Sequence, residues 1–597
     1  MPFVQLQVIS AYSLLKSTLS IEKLVVSAKE RGYKALALTD HNVMYGIVDF
    51  YKICMKHNIK PIIGITLDIQ GTIDTQKEYP IILLAKNKIG YHNLMKLSSK
   101  KMLMEHDETL NPEVIKEFSE GLIAITPGKD SEFEFFLLSE EQESAKKVLN
   151  TQQKLFTSDS YFIGLQLHEK TGEIQAKLKA LQSPLLIKTV ALGDVHYLDP
   201  SDHFSNEVLK AIGSGEKVSL ADVTTTTGPY SLLEEKQQIE KFVSVGLKIA
   251  SEQTNLIAET INVEIELNQH LLPRFDVPEQ IDTSTYLKEL CFKGLSRRKP
   301  DYTIDYQERL EYELAIIHKM GFEDYFLIVW DLMAYAHKVG IVTGAGRGSA
   351  AGSLVSYVLS ITDVDPIQYN LLFERFLNEE RYTMPDIDLD FPDNRREEML
   401  EYTKNKYGQE HVAQIATFGT LAAKMALRDV ARVFELSQIE ANEWSNTIPK
   451  TLGITLKVAY EQSKSLRELV QKNEKNTLLF DTAKKIEGLP RHVSTHAAGV
   501  VISDEPLNKY LPLQKGSSSI HLTQYPMGNV EEIGLLKMDF LGLKNLSIID
   551  NTLKLIKKQT QEDVNLLSIP MNDSQTLELF AKADTVGIFQ FESSGIK

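Results

Sequence analysis

Three aspartates alternate with apolar residues in Met384-Pro385-Asp386-Ile387-Asp388-Leu389-Asp390-Phe391. A period of two is that of a strand, with an apolar face for a core and a face of carboxylates. Asp is a poor strand former, like charges on one face repel, and no basic residue is interleaved to relieve them. A divalent cation would relieve them. So would water along an exposed acidic edge, a common guard against unwanted strand pairing. Two further stretches bear on the choice. Thr343-Gly344-Ala345-Gly346-Arg347-Gly348-Ser349-Ala350-Ala351-Gly352-Ser353 follows one apolar run and opens another. Leu535-Leu536-Lys537-Met538-Asp539-Phe540-Leu541-Gly542-Leu543 reads as a second short strand with Lys537 and Asp539 on one face. A phosphate-cradling loop, a carboxylate pair and a third carboxylate suit metal-assisted phosphoryl transfer.

The glycine loop fits the loose dinucleotide pattern Gly-x-Gly-x-x-Gly/Ala at Gly346-Arg347-Gly348-Ser349-Ala350-Ala351. That pattern needs a surrounding βαβ unit to carry meaning. Asp363 and Asp365 lie near the expected distance for a ribose contact, but in a Thr-Asp-Val-Asp-Pro turn. A P-loop is excluded, because no Lys-Ser/Thr follows the glycines. What remains is a run of unhindered backbone N–H groups at a helix start, with Arg347 and Ser349 as extra donors. Such a nest suits phosphate; a purely structural glycine turn is the alternative.

The elements that must position these residues belong to a long chain. Its 597 residues suggest about four domains. Apolar and charged contents of 43% and 24% allow ordinary cores. A net charge of −16 argues against a protein that coats nucleic acid non-specifically, though not against local basic grooves. Two distant cysteines, Cys54 and Cys291, form neither a disulfide framework nor a zinc site and point to a reducing compartment. No secretory signal or bilayer-length apolar run is visible, so a cytoplasmic location is expected.

Residues 1 to about 268 alternate strand and helix patterns. Strands are expected over 3–10, 35–39, 62–69, 81–85, 122–126, 161–167 and 185–190, with amphipathic helices such as 21–31 and 46–57 between them. This order predicts a mostly parallel sheet, open or closed into a barrel. Thr39-Asp40-His41 and Gly193-Asp194-Val195-His196 fall at carboxyl ends of strands, where such folds keep their sites. They could hold a metal or be capped structural pairs. Helices are expected over 306–320, 325–338 and 395–406. The next helix after 413–420 carries Lys424, Arg428 and Arg432 at intervals of four, on one face. That stripe suits successive phosphates or simply water. Residues 433 to about 488 read as helical, and Arg491 to His496 precede another apolar strand.

Taken in order, Gly344 to Val355, Met384-Pro385-Asp386-Ile387-Asp388, Pro490-Arg491-His492 with His496-Ala497-Ala498-Gly499, and Lys537 to Leu543 resemble one family along the whole chain. It is the DnaE-type catalytic alpha subunit of bacterial DNA polymerase III (C family), in its Gram-positive branch. The related PolC type carries an inserted exonuclease that has no counterpart here. The resemblance implies a multidomain α/β protein. A PHP-type distorted (β/α)7 barrel over 1–268 would precede a polymerase-beta-like nucleotidyltransferase palm over 269–417 and 489–545. A helical thumb over 418–488 would split that palm, and fingers would begin at 546–597. The chain stopping as the fingers begin implies poor activity for this piece alone. Asp386, Asp388 and Asp539 would hold two magnesium ions. Arg347, Gly348, Ser349, Lys537, Arg491 and His496 would surround the nucleotide, and Lys424, Arg428 and Arg432 would face duplex DNA. The substrates implied are primer-template DNA and deoxynucleoside triphosphates. The implied partners are a sliding clamp, clamp loader, helicase and primase, with no membrane.

Two departures from the family pattern stand out. Relatives with a metallated PHP domain begin Phe-Val-His-Leu-His-x-His-Ser, whereas this chain has Phe3-Val4-Gln5-Leu6-Gln7-Val8-Ile9-Ser10, and Thr66 stands where an acid is usual. His41, Asp194 and His196 are too few for a cluster, so a PHP domain without metal or nuclease activity is expected. Ala345 stands where Pro is usual, which changes loop stiffness but not its donors. Rival readings are a metal-dependent phosphoesterase centred on the N-terminal domain, a nucleotide-dependent redox enzyme and a non-enzymatic scaffold.

Overall fold

The computed structural model describes residues 1–105, 107–139, 141–157, 159–181, 188–218, 228–278, 281–380 and 384–597. The chain forms two compact units. One contains Met1–Gln269, Gln414–Thr495 and Pro506–Ile533; the other contains His270–Ala413, His496–Glu505 and Gly534–Lys597. No helix among the described residues is long and apolar enough to cross a membrane.

In the first unit β1 (Ala35–Leu38), β2 (Lys60–Gln70), β3 (Glu78–Ala85), β4 (Leu122–Thr126), β5 (Tyr161–Leu165) and β6 (Thr189–Ala191) are neighbours in that order. Their apolar residues, such as Leu36, Ile63, Leu83 and Ile125, are buried. The sheet is mixed. β1–β2, β4–β5 and β5–β6 pair parallel, while β2–β3 and β3–β4 pair antiparallel. The expectation of a mostly parallel sheet fails at β2–β3 for a simple reason. The connection over 71–77 is too short for the crossover that a parallel pair needs.

The expected strand over 3–10 is reduced to isolated bridges, Gln5 to Leu36 and Val8 to Val195. Side chains take several of its backbone N–H groups: Phe3 donates to Glu235, Val4 to Thr254, Val8 to Thr39 and Ser10 to Asp40. The segment still bonds to β1, through Ala37 N–H to Gln5 O, and to the stretch after β6, through Ile9 N–H to Val195 O. The strand expected over 185–190 is seen only as β6, because 182–187 lie outside the described residues.

Helices complete this unit. His203–Ser214 shares an apolar core with Ala423–Val433, Gln438–Asn446 and Glu474–Ile486, including Phe204, Leu427, Phe434, Trp444 and Leu479. Burying each large side chain contributes roughly 2 kcal/mol. The 506–533 segment is tied to the N-terminal part by Met44 N–H donating to Gln524 Oε1 and Tyr45 O–H to Gln514 Oε1.

The second unit holds the helices Thr283–Arg298, Ile304–Met320 and Glu323–Lys338. It also contains β7 (Asp388–Pro392), the later part of β9 (Pro490–Ile502) and β12 (Lys537–Leu543). (The remaining strands are β8, Val412–Thr420; β10, Leu513–Gln514; and β11, His521–Pro526.) β12 pairs parallel with β7 and antiparallel with β9. Leu389, Phe391, Met538 and Phe540 are buried, and the rings of Phe391 and Phe540 meet edge-on at 5.9 Å. This apolar seam fixes the register that sets the carboxylates on the opposite face.

Candidate active site

The strand pairing brings two distant aspartates together: Asp539 of β12 is the register partner of Asp388 of β7. β7 begins only at Asp388, so Asp386 lies before the strand rather than on it, and its side chain is 66% exposed. The irregular backbone at Ile387 is held by Tyr325, whose buried phenol oxygen accepts the Ile387 N–H at 3.0 Å. Lys537 Nζ donates to Asp539 Oδ2 at 2.9 Å and lies 3.8 Å from Asp386 Oδ1. The three sequence-predicted carboxylates therefore share one neighbourhood around Lys537 and β7.

The charge repulsion read from the sequence is relieved from a distance. Arg347 of the glycine loop places Nη1 2.5 Å from Asp388 Oδ2. Its Nε donates to Asp390 Oδ2 at 2.9 Å and its Nη2 to Asp390 Oδ1 at 3.2 Å. Burial works against the guanidinium charge, but Asp390, Asp388 and Asp539 outweigh it and raise its pKa. Asp388 is pushed above the usual carboxylate range, first by desolvation and then by Asp386, Asp390 and Asp539, with Arg347 opposing. Asp539 Oδ1 is buried with no hydrogen-bond partner.

That orphaned oxygen, and a carboxylate crowded by three others, suit a hard cation with oxygen ligands. Among the described residues, no group of three His, Cys, Asp or Glu is arranged to hold a metal ion. Arg347 and Lys537 occupy the carboxylates instead. Asp390, to which the sequence reading gave no role, is 7% exposed and holds Arg347 through two bonds. Its place in the Asp alternation was the available signal.

The glycine loop is shaped by close approach. A Cβ on Gly344 would stand 2.7 Å from Asp390 Cβ, and Gly348 has φ +66°. Gly348–Gly352 is a single 3-10 turn, and the helix behind it, Leu354–Val358, is short. The N–H groups of that helix are not free. Leu354 N–H and Val355 N–H donate to the fully buried Glu313, as does Ser353 Oγ, and Arg309 Nε pairs with the same carboxylate at 2.7 Å. The expected nest is thus reduced to the turn at Gly348 and Ser349. Glu313 lies 40 residues upstream in an amphipathic helix, where nothing local announces it.

Asp363 and Asp365 have structural partners. Asp363 pairs with Arg298, and Asp365 pairs with Lys299 and Tyr306. In the second unit His496 Nδ1 accepts the N–H groups of Ala498 and Gly499, which leaves the ring proton on Nε2. In the first unit Arg491 pairs with the buried Asp429 at 2.7 Å. Lys424, Arg428 and Arg432 are exposed along the helix Ala423–Val433, with Arg432 also 3.4 Å from Asp429.

The first unit also has an open pocket of about 750 Å³ lined by Gln7, Ile9, Thr66, His41, Asp68 and Asp194 among others. Gln166 donates to Gln7 at 2.8 Å, and Thr66 Oγ1 donates to Thr39 O. His41 pairs with Asp68 at 3.1 Å and lies 3.0 Å from Lys16 Nζ, while His196 pairs with Asp194 at 2.8 Å. These polar groups are engaged with one another, while His196 Nδ1 is buried without a hydrogen-bond partner.

Three family models match successive stretches of the chain. The chain matches the PHP domain over 5–168, the bacterial DNA polymerase III alpha NTPase domain over 285–542 and the bacterial DNA polymerase III alpha subunit finger domain over 545–597. It is 46% identical to the DNA polymerase III subunit alpha of Bacillus subtilis (strain 168), over 100% of this chain and 53% of that protein. Identity to the namesake of Staphylococcus aureus (strain Mu50) is 40%, over 99% of this chain and 52% of that one. The chain thus spans about half the length of the curated relatives it matches. An amidohydrolase of known structure from Chromobacterium violaceum overlaps 32% of this chain and 87% of its own, at 12% identity and a TM-score of 0.24, which is too low to inform the fold.

Proposed function

Because the chain belongs to the bacterial DNA polymerase III alpha-subunit family, we propose that it carries the active site of a template-directed DNA polymerase. The reaction adds a deoxynucleotide to a primer 3′-hydroxyl and releases pyrophosphate. The observation that carries this reading is the adjacency of Asp388 and Asp539 on β7 and β12, with an unpartnered buried oxygen on Asp539. Asp386, Asp388 and Asp539 are the residues that would hold magnesium. Magnesium bound there supplies acidification of the primer hydroxyl and charge neutralisation on the triphosphate.

The chain's own residues do the rest. Arg347 and Lys537 are cations that can exchange a carboxylate for a phosphate oxygen, a favoured partner for both. Gly348 and Ser349 offer the backbone of the turn that directly follows Arg347. His496, protonated on Nε2, offers a hydrogen-bond donor. The exposed stripe Lys424, Arg428 and Arg432 binds the duplex backbone. Arg491, tied to Asp429, holds the start of β9 in the first unit, and its role as a nucleotide contact rests on the family pattern alone. Base choice is left to template pairing.

The domain reading follows the same lines. Residues 1–268 form a PHP domain as a distorted barrel, a reading supported by the N-terminal segment bridging to β1 and to the stretch after β6. Residues 269–417 and 489–545 form the palm, 418–488 the thumb, and 546–597 the start of the fingers. In this reading the first unit is without nuclease activity, because Gln7 and Thr66 stand where relatives with a metallated PHP domain have a histidine and an acid, and both are bonded to other protein groups. That argues against the phosphoesterase alternative. The substrates are primer-template DNA and deoxynucleoside triphosphates. The wider partners are a sliding clamp, clamp loader, helicase and primase in the cytoplasm. The test is primer extension by this chain completed with the remaining half of its Bacillus subtilis relative. Activity with magnesium supports the reading, and hydrolysis without synthesis refutes it.

A further inference from the structure

Arg347 cannot leave a carboxylate by losing its proton, because a guanidinium stays charged throughout the accessible pH range. It can leave only by moving. Two of its nitrogens are committed to Asp390 and the third to Asp388. Asp390 is almost fully buried, and Asp388, two residues before it on β7, is 26% exposed. Asp390 therefore acts as the holder and Asp388 as the contact that can be exchanged. Around β7 four carboxylates, Asp388, Asp390 and Asp539 on the strands and Asp386 just before β7, meet two basic side chains, Arg347 and Lys537. The acidic cluster is already partly neutralised by the protein itself.

We propose that Arg347, steered by Asp390, is an internal counter-ion for Asp388, which a divalent cation displaces and which then becomes a ligand of the triphosphate. This rests on the polymerase reading above and adds a coupling to it. A cation binding alone has to break the Arg347–Asp388 contact with no new partner for the guanidinium. A triphosphate binding alone has to draw Arg347 away and leave Asp388 uncompensated. Each ligand removes the cost that the other faces, so each favours the other by the same factor. The site then resists loading by a bare metal ion and fills when both components arrive. Arg347 is a binding residue in this scheme. Asp390 is a positioning residue that never meets the substrate.

The test is calorimetric titration of residues 1–597 with Mn²⁺ alone, comparing wild type, Arg347→Gln, Arg347→Lys and Asp388→Asn. Removing the internal cation should tighten Mn²⁺ binding about tenfold, with Arg347→Lys between the two because an ammonium cannot fork to both aspartates. Equilibrium dialysis of a labelled deoxynucleoside triphosphate, with and without saturating Mn²⁺, gives the coupling factor. That factor should fall about tenfold in Arg347→Gln. Unchanged or weaker Mn²⁺ binding in Arg347→Gln, with binding still lost in Asp388→Asn, overturns the counter-ion role alone. Equal binding in wild type and Asp388→Asn overturns the proposed ligand set instead. If Arg347→Gln fails to fold by circular dichroism, Arg347→Lys decides: tighter binding supports the proposal and wild-type binding sinks it.

Discussion

Asp539 stands opposite Asp388 in the parallel pairing of β12 with β7, although 151 residues separate them along the chain. The apolar sides of the two strands bury Phe391 against Phe540, and that packing sets the register. A slip of one residue would turn Asp539 into the core. The acidic face is therefore a consequence of core packing, and the charges on it are held together against their own repulsion.

Glu313 replaces solvent at the start of the helix behind the glycine loop. It accepts from Leu354, Val355 and Ser353 and pairs with Arg309. Glu313→Ala would leave buried amides and a guanidinium without their acceptor. The expected loss is about 3 kcal/mol of unfolding free energy, read by urea denaturation followed through near-UV circular dichroism. A loss under about 0.5 kcal/mol, the range of ordinary surface substitutions, would show that water replaces the carboxylate there.

The exposed stripe can be tested without disturbing the fold. Arg428→Ala and Lys424→Ala should leave thermal stability unchanged and weaken binding to primer-template DNA. Each should lower the slope of log affinity against log salt by about one, the signature of one lost phosphate contact. Fluorescence anisotropy at several salt concentrations measures it. An unaltered slope would reduce the stripe to a solvated helix face.

Glu134 gives a pH signature to the first unit. Burial in the first place, with Asp130 adding and Lys129 and Lys170 opposing, pushes its carboxyl up to about 7. The folded chain thus binds a proton that the unfolded chain releases above its ordinary value of 4.5. The resulting stability is fully present below 4.5 and is lost as pH rises through about 7. Melting temperatures of wild type and Glu134→Gln across pH 4.5–8 should therefore diverge as pH rises, with the wild type falling relative to the variant. Parallel curves would place the proton elsewhere.

Much of this arrangement can be read from the sequence, and the failures have physical causes. The alternation around Asp388 announces a strand with an acidic face, because period and polarity are local. Its start at Asp388 rather than before Asp386 depends on Tyr325 capturing the Ile387 N–H, a contact across 62 residues. The glycines at 344 and 348 announce a tight loop, yet the sequence hides that Arg347 folds back onto Asp388 and Asp390. Segment 3–10 has strand composition, but Glu235, Thr254, Thr39 and Asp40 claim its amides. Short-range pattern shows which groups are present; long-range hydrogen bonds decide which of them stay free.

The most direct test is single-turnover incorporation of one nucleotide by the chain completed to its relatives' length, comparing wild type with Asp388→Asn and Asp539→Asn. If these carboxylates form one metal-holding site, each substitution lowers the rate by at least about a thousandfold, some 4 kcal/mol of transition-state stabilisation, with the folded signal intact. Incorporation near the wild-type rate by either variant would contradict the account.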